Sequence, residues 1–294
     1  MKFKKARKHF RFPLSLCYYG ARSRCGNSVA VSYFNQFKEL NWFMKKKTFY
    51  IALLSMAIIA LFSACAFTTR AGNTEIIRGT GEIVSRTFEV NDFTGLNIGG
   101  FFTVIFNQSD EISVTVEMYE NLFDYFDVSV RRDTLRIVRN RHYRGTGIEF
   151  GSYRPRLYIT APYLTSINLS GSVTTEDWDA IETQSLSINI SGFTQLSAPI
   201  DVDNLSINSS GSSTLELWGN ASDVNINASG FTNIMATDLQ TSDVSIQGSG
   251  SIRAEIAVSN SIDARLSGFA DIRYIGDPTV TQRTSGSARV RRAE

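Results

Sequence analysis

The stretches Leu186–Phe193 (LSINISGF), Leu205–Ser212 (LSINSSGS) and Val224–Phe231 (VNINASGF) are one motif repeated at 19-residue spacing. Its Ser-Gly pair recurs along the chain, placing glycines at Gly171, Gly192, Gly211, Gly230, Gly250, Gly268 and Gly286, with spacings of 21, 19, 19, 20, 18 and 18 residues. So narrow a period signals a repeat architecture. Six residues before the glycine stand Leu186, Leu205, Val224, Val244, Ile262 and Val280, and four before it Ile167, Ile188, Ile207, Ile226 and Ile246. Between those apolar columns, three before the glycine, run Asn168, Asn189, Asn208, Asn227 and then Gln247. Strict alternation of this kind describes a strand with one buried face. Leu196, Leu215, Ile234, Ile272 and Val290, four after the glycine, predict a second strand across a turn. The glycine makes that turn at positive φ, where a side chain is disfavoured.

Two short strands cannot enclose a core, but stacking like on like buries both apolar columns continuously. The expected fold is therefore all-β, a β-solenoid or β-helix-like stack of coils of about 19 residues over 163–294. A β-rich N-terminal portion, residues 75–162, precedes it, and 75–294 form one continuous domain. In that portion Ile112, Val114 and Val116 alternate with polar residues, as do Leu135 with Ile137 and Leu157 with Ile159, while 121–126 suit a short helical or irregular turn. Stacking places each Asn about 4.8 Å from the next, close enough for an amide ladder, unless the column is only a solvated polar face. The residue after the glycine alternates: Ser172, Phe193, Ser212, Phe231, Ser251, Phe269, Ser287. That leaves a 38-residue turn of two unlike halves as a rival. The shorter coil is favoured because the apolar and Asn columns run through every repeat.

Outward from the repeat, residues 44–65 (MKKKTFYIALLSMAIIALFSAC) have the build of an export signal. Lys45, Lys46 and Lys47 precede an apolar stretch, Phe49 to Phe62, and small residues lead to Cys65. The segment resembles a bacterial lipoprotein signal, with 44–64 removed and Cys65 acylated, although Phe62 stands where Leu is usual. An uncleaved membrane anchor is the alternative, on an apolar run near the lower length limit for a span. Residues 65–74 read as a tether. Residues 1–43, which would bury the positive segment inside the chain, read as an upstream extension from a start assigned too early, with Met44 the true start. Of the three cysteines only Cys65 lies beyond that start, so the fold cannot depend on disulfides.

Charge narrows the function. Residues 1–64 hold 12 of the 30 basic and one of the 28 acidic residues, so the part from Cys65 onward carries 18 Arg against 27 Asp and Glu, a net charge of −9 with no Lys. Such a body is poorly suited to nucleic acid.

The recurring L-x-I-N-x-S-G-S/F coils, the segment Pro162 to Ser172 (P-x-L-x-x-I-x-L-S-G-S) and the terminal Ser285-Gly-Ser287 resemble the autotransporter-adhesin family with a GIN-type head domain, over roughly Phe88 to Arg289. The resemblance implies a β-solenoid-like fold and a surface or periplasmic setting, and it brings no catalytic residues. Arg265 and Arg283 interrupt the Asn column, which suggests that the last coils are modified as a cap.

Catalytic material is sparse. His142 is the one histidine beyond the signal, and no nucleophile, base and orienter set is evident. Arg136, Arg139, Arg141 and Arg144 suit either an anionic ligand or a solvated surface. A carbohydrate-active enzyme on a parallel β-helix is the alternative: Asp177 with Asp179, or Asp201 with Asp203, place two acids on one strand face for glycan hydrolysis or for weak Ca²⁺ binding. A lyase would need cations, yet none occurs between Arg156 and Arg253. The reading is therefore not an enzyme and needs no cofactor or metal. It is a protein held at the outer membrane by its lipid, presenting an extended surface to a protein or glycan ligand as an adhesin or envelope interaction protein.

Overall fold

The computed structural model describes residues 75–143 and 145–293, which belong to one compact unit and are nearly all β. The signal, the tether and Cys65 lie outside the described residues. Twelve strands follow in order: β1 (Ile76–Arg78), β2 (Ile83–Phe88), β3 (Gly95–Gln108), β4 (Ser113–Tyr119), β5 (Phe126–Arg131), β6 (Thr134–Arg139), β7 (Gly147–Glu149), β8 (Arg156–Ala161), β9 (Ser166–Thr175), β10 (Ile181–Ile275), β11 (Thr279–Thr284) and β12 (Arg289–Arg292). A 3₁₀ turn, Glu120–Tyr125, occupies the segment expected to be irregular.

β10 runs unbroken for 95 residues, so most of the glycines do not end one strand and begin another as the sequence suggested. Six are corners inside continuous strand, Gly171 in β9 and Gly192 to Gly268 in β10, while Gly286 lies in the turn between β11 and β12. All seven have positive φ, between 74° and 118°. They stand in single file: a Cβ on Gly192 would lie 2.4 Å from the carbonyl oxygen of Gly171, and one on Gly211 would lie 2.7 Å from that of Gly192. Backbones this close leave no room for a methyl group, which is the reason for glycine here. Gly192 and Gly211 are thus immediate neighbours, which excludes the 38-residue turn, where they would sit about 10 Å apart on opposite sheets.

The pairing between successive segments is parallel and in register. Ile188 pairs with Ile167, Asn189 with Asn168 and Phe193 with Ser172. At the far end Ile262 pairs with Val280 and Ile272 with Val290. Each segment is a rung, and like residues fall on like residues. Inward, Ile167, Ile188, Ile207, Ile226 and Ile246 are all essentially inaccessible, as are Leu196, Leu215, Ile234 and Ile272.

The stack also starts earlier than the Ser-Gly motif. β3 pairs in parallel with β9 from Gly95↔Ser166 to Val104↔Thr175, which sets Leu96 on Ile167, Asn97 on Asn168 and Gly100 on Gly171. Gly100 is the eighth corner, at φ 139°. Residues 109–161 form an insertion that folds back over the other edge of β3, where β6 covers 95–98 and β8 covers 103–108. β4 continues antiparallel from β8, β2 from β4, and β5 from β6. This antiparallel lid shields the first rung's edge. At the other end, cross-rung ion pairs of Arg273 with Glu255 and Arg291 with Asp271 lie beyond the corner, while Arg265, which continues the Asn column, pairs with Asp263. The Arg291 hydrogen bond holds the Asp271 carboxyl below the ordinary carboxylate range.

Candidate ligand-binding face

The outward side of the strand leading into the corner is a shallow groove of about 640 Å³ floored by Asn97, Asn168, Asn189, Asn208, Asn227 and Gln247. Parallel in-register stacking aligns these amides, and they bond to one another. Asn189 Nδ2 donates to Asn168 Oδ1 at 3.0 Å, Asn208 to Asn189 at 3.0 Å and Asn227 to Asn208 at 3.2 Å. The second Nδ2 proton is also engaged at several rungs, reaching Ser166 Oγ from Asn168 and Ser187 Oγ from Asn189. One column nearer the corner, the hydroxyls of Ser170, Ser210 and Ser229 donate to backbone carbonyls of the preceding rung, at 3.4–3.5 Å. The protons of both columns are thus largely committed to the protein. Each amide and hydroxyl oxygen keeps acceptor capacity beyond these bonds, so the groove offers acceptors to a ligand that donates.

Asn208→Ala removes two ladder bonds between half-exposed groups, so its expected loss is about 0.5–1.5 kcal/mol, read as a small shift in the urea unfolding midpoint.

Beneath the face, Ser209, Ser213 and Thr232 are buried and linked by hydroxyl hydrogen bonds, and the neighbouring Thr194 Oγ1 has no partner. Sequence reading missed this inward polar cluster. The same motif position is Ile190 one rung before Ser209, so nothing local marks the change of environment.

The chain between Asp92 and Pro278 carries the decisive match. A family model described as "Putative auto-transporter adhesin, head GIN domain" matches residues 92–278. The chain belongs to this family. The match begins upstream of Gly95, in agreement with a GIN domain whose first rung is β3. Solved structures show the same fold. A "putative adhesin" from Bacteroides fragilis is 21% identical at a TM-score of 0.69, covering 74% of this chain and all of its own. A "putative lipid binding protein" from Parabacteroides distasonis is 20% identical at 0.60, and a "putative adhesin" from Parabacteroides merdae 20% identical at 0.55; each covers 75% of this chain and all of its own. Comparison with curated proteins finds no match.

The other candidate groups of the GIN domain stand apart from the Asn ladder itself. Arg136, Arg139, Arg141 and His142, with Arg131 and Asp127, line a second cleft of about 760 Å³ between the lid and the corners of the first two rungs, which meets the amide groove at Ser170, while Arg144 lies outside the described residues. Asp179 is structural, accepting from the backbone N–H of Gln108 at 3.0 Å. Asp201 and Asp203 are both exposed on the outer face. Among the described residues no group of three or more His, Cys, Asp or Glu is placed to hold a metal ion, and no helix is long and apolar enough to cross a membrane.

Proposed function

We propose that the chain is an exported lipoprotein whose β-solenoid presents an extended binding surface, acting as an adhesin or cell-envelope interaction protein. The observation that carries the reading is the amide groove, a regular array of hydrogen-bonding groups over six rungs with no acid-base pair beside it. Family membership supports an adhesin-like role. Binding, not turnover, suits the surface. A glycosidase holds one of its two carboxylic acids protonated in a shielded place, whereas Asp201 and Asp203 stand in open solvent. In this reading residues 44–64 are the signal, Cys65 takes the lipid that anchors the protein at the outer membrane, 65–74 are the tether and 75–294 one domain.

Two measurements test it. Cys65→Ser is expected to abolish the lipid-linked mass increase and to shift the protein out of the membrane fraction. A variant that stays membrane-bound at unchanged mass would instead mean an uncleaved anchor. Incubation of the mature protein with polysaccharides is expected to release no new reducing ends; sustained release would make the protein an enzyme.

A further inference from the structure

Three phenylalanines on the corner column are bare: Phe193, Phe231 and Phe269 are 73%, 69% and 73% exposed. They alternate with Ser172, Ser212 and Ser251, one residue per rung, so the rings stand two sheet steps apart, about 9.6 Å. On the strength of the binding reading above, we propose that this column is the docking site of an uncharged, extended β-1,4-linked glycan. Alternate sugar rings would stack on the phenylalanines, and the sugar hydroxyls would donate to the flanking oxygens.

Four observations lead there. The first is pitch. Two sheet steps are close to the length of one disaccharide in such a chain, and because successive sugars are flipped, every second one offers the same face. A phenylalanine on alternate rungs meets that repeat, and the intervening serine leaves space for the flipped sugar.

The second is chemistry. Over the rungs of Gly171, Gly192, Gly211 and Gly230, the four outward columns nearest the corner contain only Asn, Gln, Ser, Thr and Phe. On the far side of the rings these are Thr174, Gln195, Thr214 and Asn233. A charge-free strip stands out on an acidic body. The strip's own rungs supply no Lys or Arg from 157 to 252; the cations near it are lid arginines at its Gly171 end, where Arg154 bonds to the Ser172 carbonyl and Arg131, Arg136, Arg139 and Arg141 line a cleft that reaches Ser170. The acceptor-rich Asn and Ser columns complement a ligand made of hydroxyl donors.

The third is a precedent within the chain. Phe101 occupies the same column on the first rung, beside Ser172. There the chain covers the ring itself: Phe150 stacks on it at 5.3 Å between centroids and 20° between planes, and the Arg154 guanidinium lies 4.1 Å from its centroid. The column thus presents ring faces to flat partners. The last is size. A second copy could interleave its rings into the serine gaps, but three rings on each side, at roughly 150 Å² each, bury only about 900 Å², short of the roughly 1,200 Å² of a stable interface.

The test is calorimetric titration of the mature protein with cellohexaose, mannohexaose (β-1,4-linked) and chitohexaose, with cellobiose and heparin as comparisons. At least one hexasaccharide is expected to bind, more tightly than cellobiose because it reaches successive rings. Phe231→Ala is expected to weaken it about tenfold, and Phe193→Ala with Phe231→Ala to abolish it. Both variants should melt like the parent, since the rings are exposed. Trp218→Ala, on another column, should leave binding unchanged. No binding by any of the three hexasaccharides, equal binding by the double variant, or preference for heparin would overturn the inference while leaving a protein-binding adhesin intact. So would a wild-type dimer in sedimentation that Phe231→Ala makes monomeric. Cleavage of the hexasaccharide would overturn the binding reading itself.

Discussion

Gly192→Ala is expected to destabilise the protein by roughly 2–5 kcal/mol, combining left-handed backbone strain with overpacking. Gly192 sits at φ 89°, and the added Cβ would lie 2.4 Å from the carbonyl oxygen and 2.9 Å from the nitrogen of Gly171. Those are backbone atoms, so no rotamer change can relieve the contact, and moving one corner displaces the next in the file. Gly81 separates the two terms. It has the same φ of 89° but nothing within 4 Å of its added Cβ. Gly81→Ala should therefore show only the strain, about 1–2 kcal/mol. Chemical denaturation of the two variants reads the difference. If they lose equal stability, the close approach of the corners is not what demands glycine.

Ile226→Ala is the second large effect, about 2–5 kcal/mol. The side chain is fully buried at the middle of its column, with Ile207 and Ile246 on the rungs to either side. Because the rungs are held by parallel pairing on both edges, the backbone cannot collapse into the space left by the lost atoms, and a cavity remains. The companion Val290→Ala should lose much less, because Val290 lies half-exposed on the last rung. Unfolding midpoints in urea give the ranking, with Ile226 well above both Val290 and Asn208. Equal losses at Ile226 and Asn208 would mean that the inward and outward faces have been exchanged.

The repeat was legible for a physical reason. Parallel in-register stacking makes each residue's neighbour the residue one rung away, so an environment such as the glycine file or the amide ladder writes itself into the sequence at a constant offset. That legibility failed where the offset broke. Gly100 and Gly171 are 71 residues apart, with the lid inserted between them, and Gly99 stands where later rungs carry serine. Asn97 and Gly100 were therefore invisible as members of the columns. The inward polar cluster of Ser209, Ser213 and Thr232 was hidden differently: its burial depends on the rungs above and below, not on its own segment. The strand expected beyond each turn exists, as a separate strand only after Gly286 and otherwise as a continuation, since a single left-handed glycine bends a strand without ending its pairing.

The insertion also fixes an order of assembly. From Gly171 onward, each rung meets its successor after only 18 to 21 residues of chain, so its partner is available almost as soon as it is made. The first rung is the exception. As the chain emerges from the ribosome amino end first, β3 must wait for the whole of 109–165 before β9 can cover its edge. By loop-closure entropy the longer connection costs only about 1 kcal/mol more than a rung-to-rung one, so the delay is a matter of time and hardly one of stability. During it Phe102, Val104 and Phe106, all inaccessible in the finished protein, have no partner on that side. The first rung is thus the earliest synthesised and the one that waits through the longest stretch of chain for its partner.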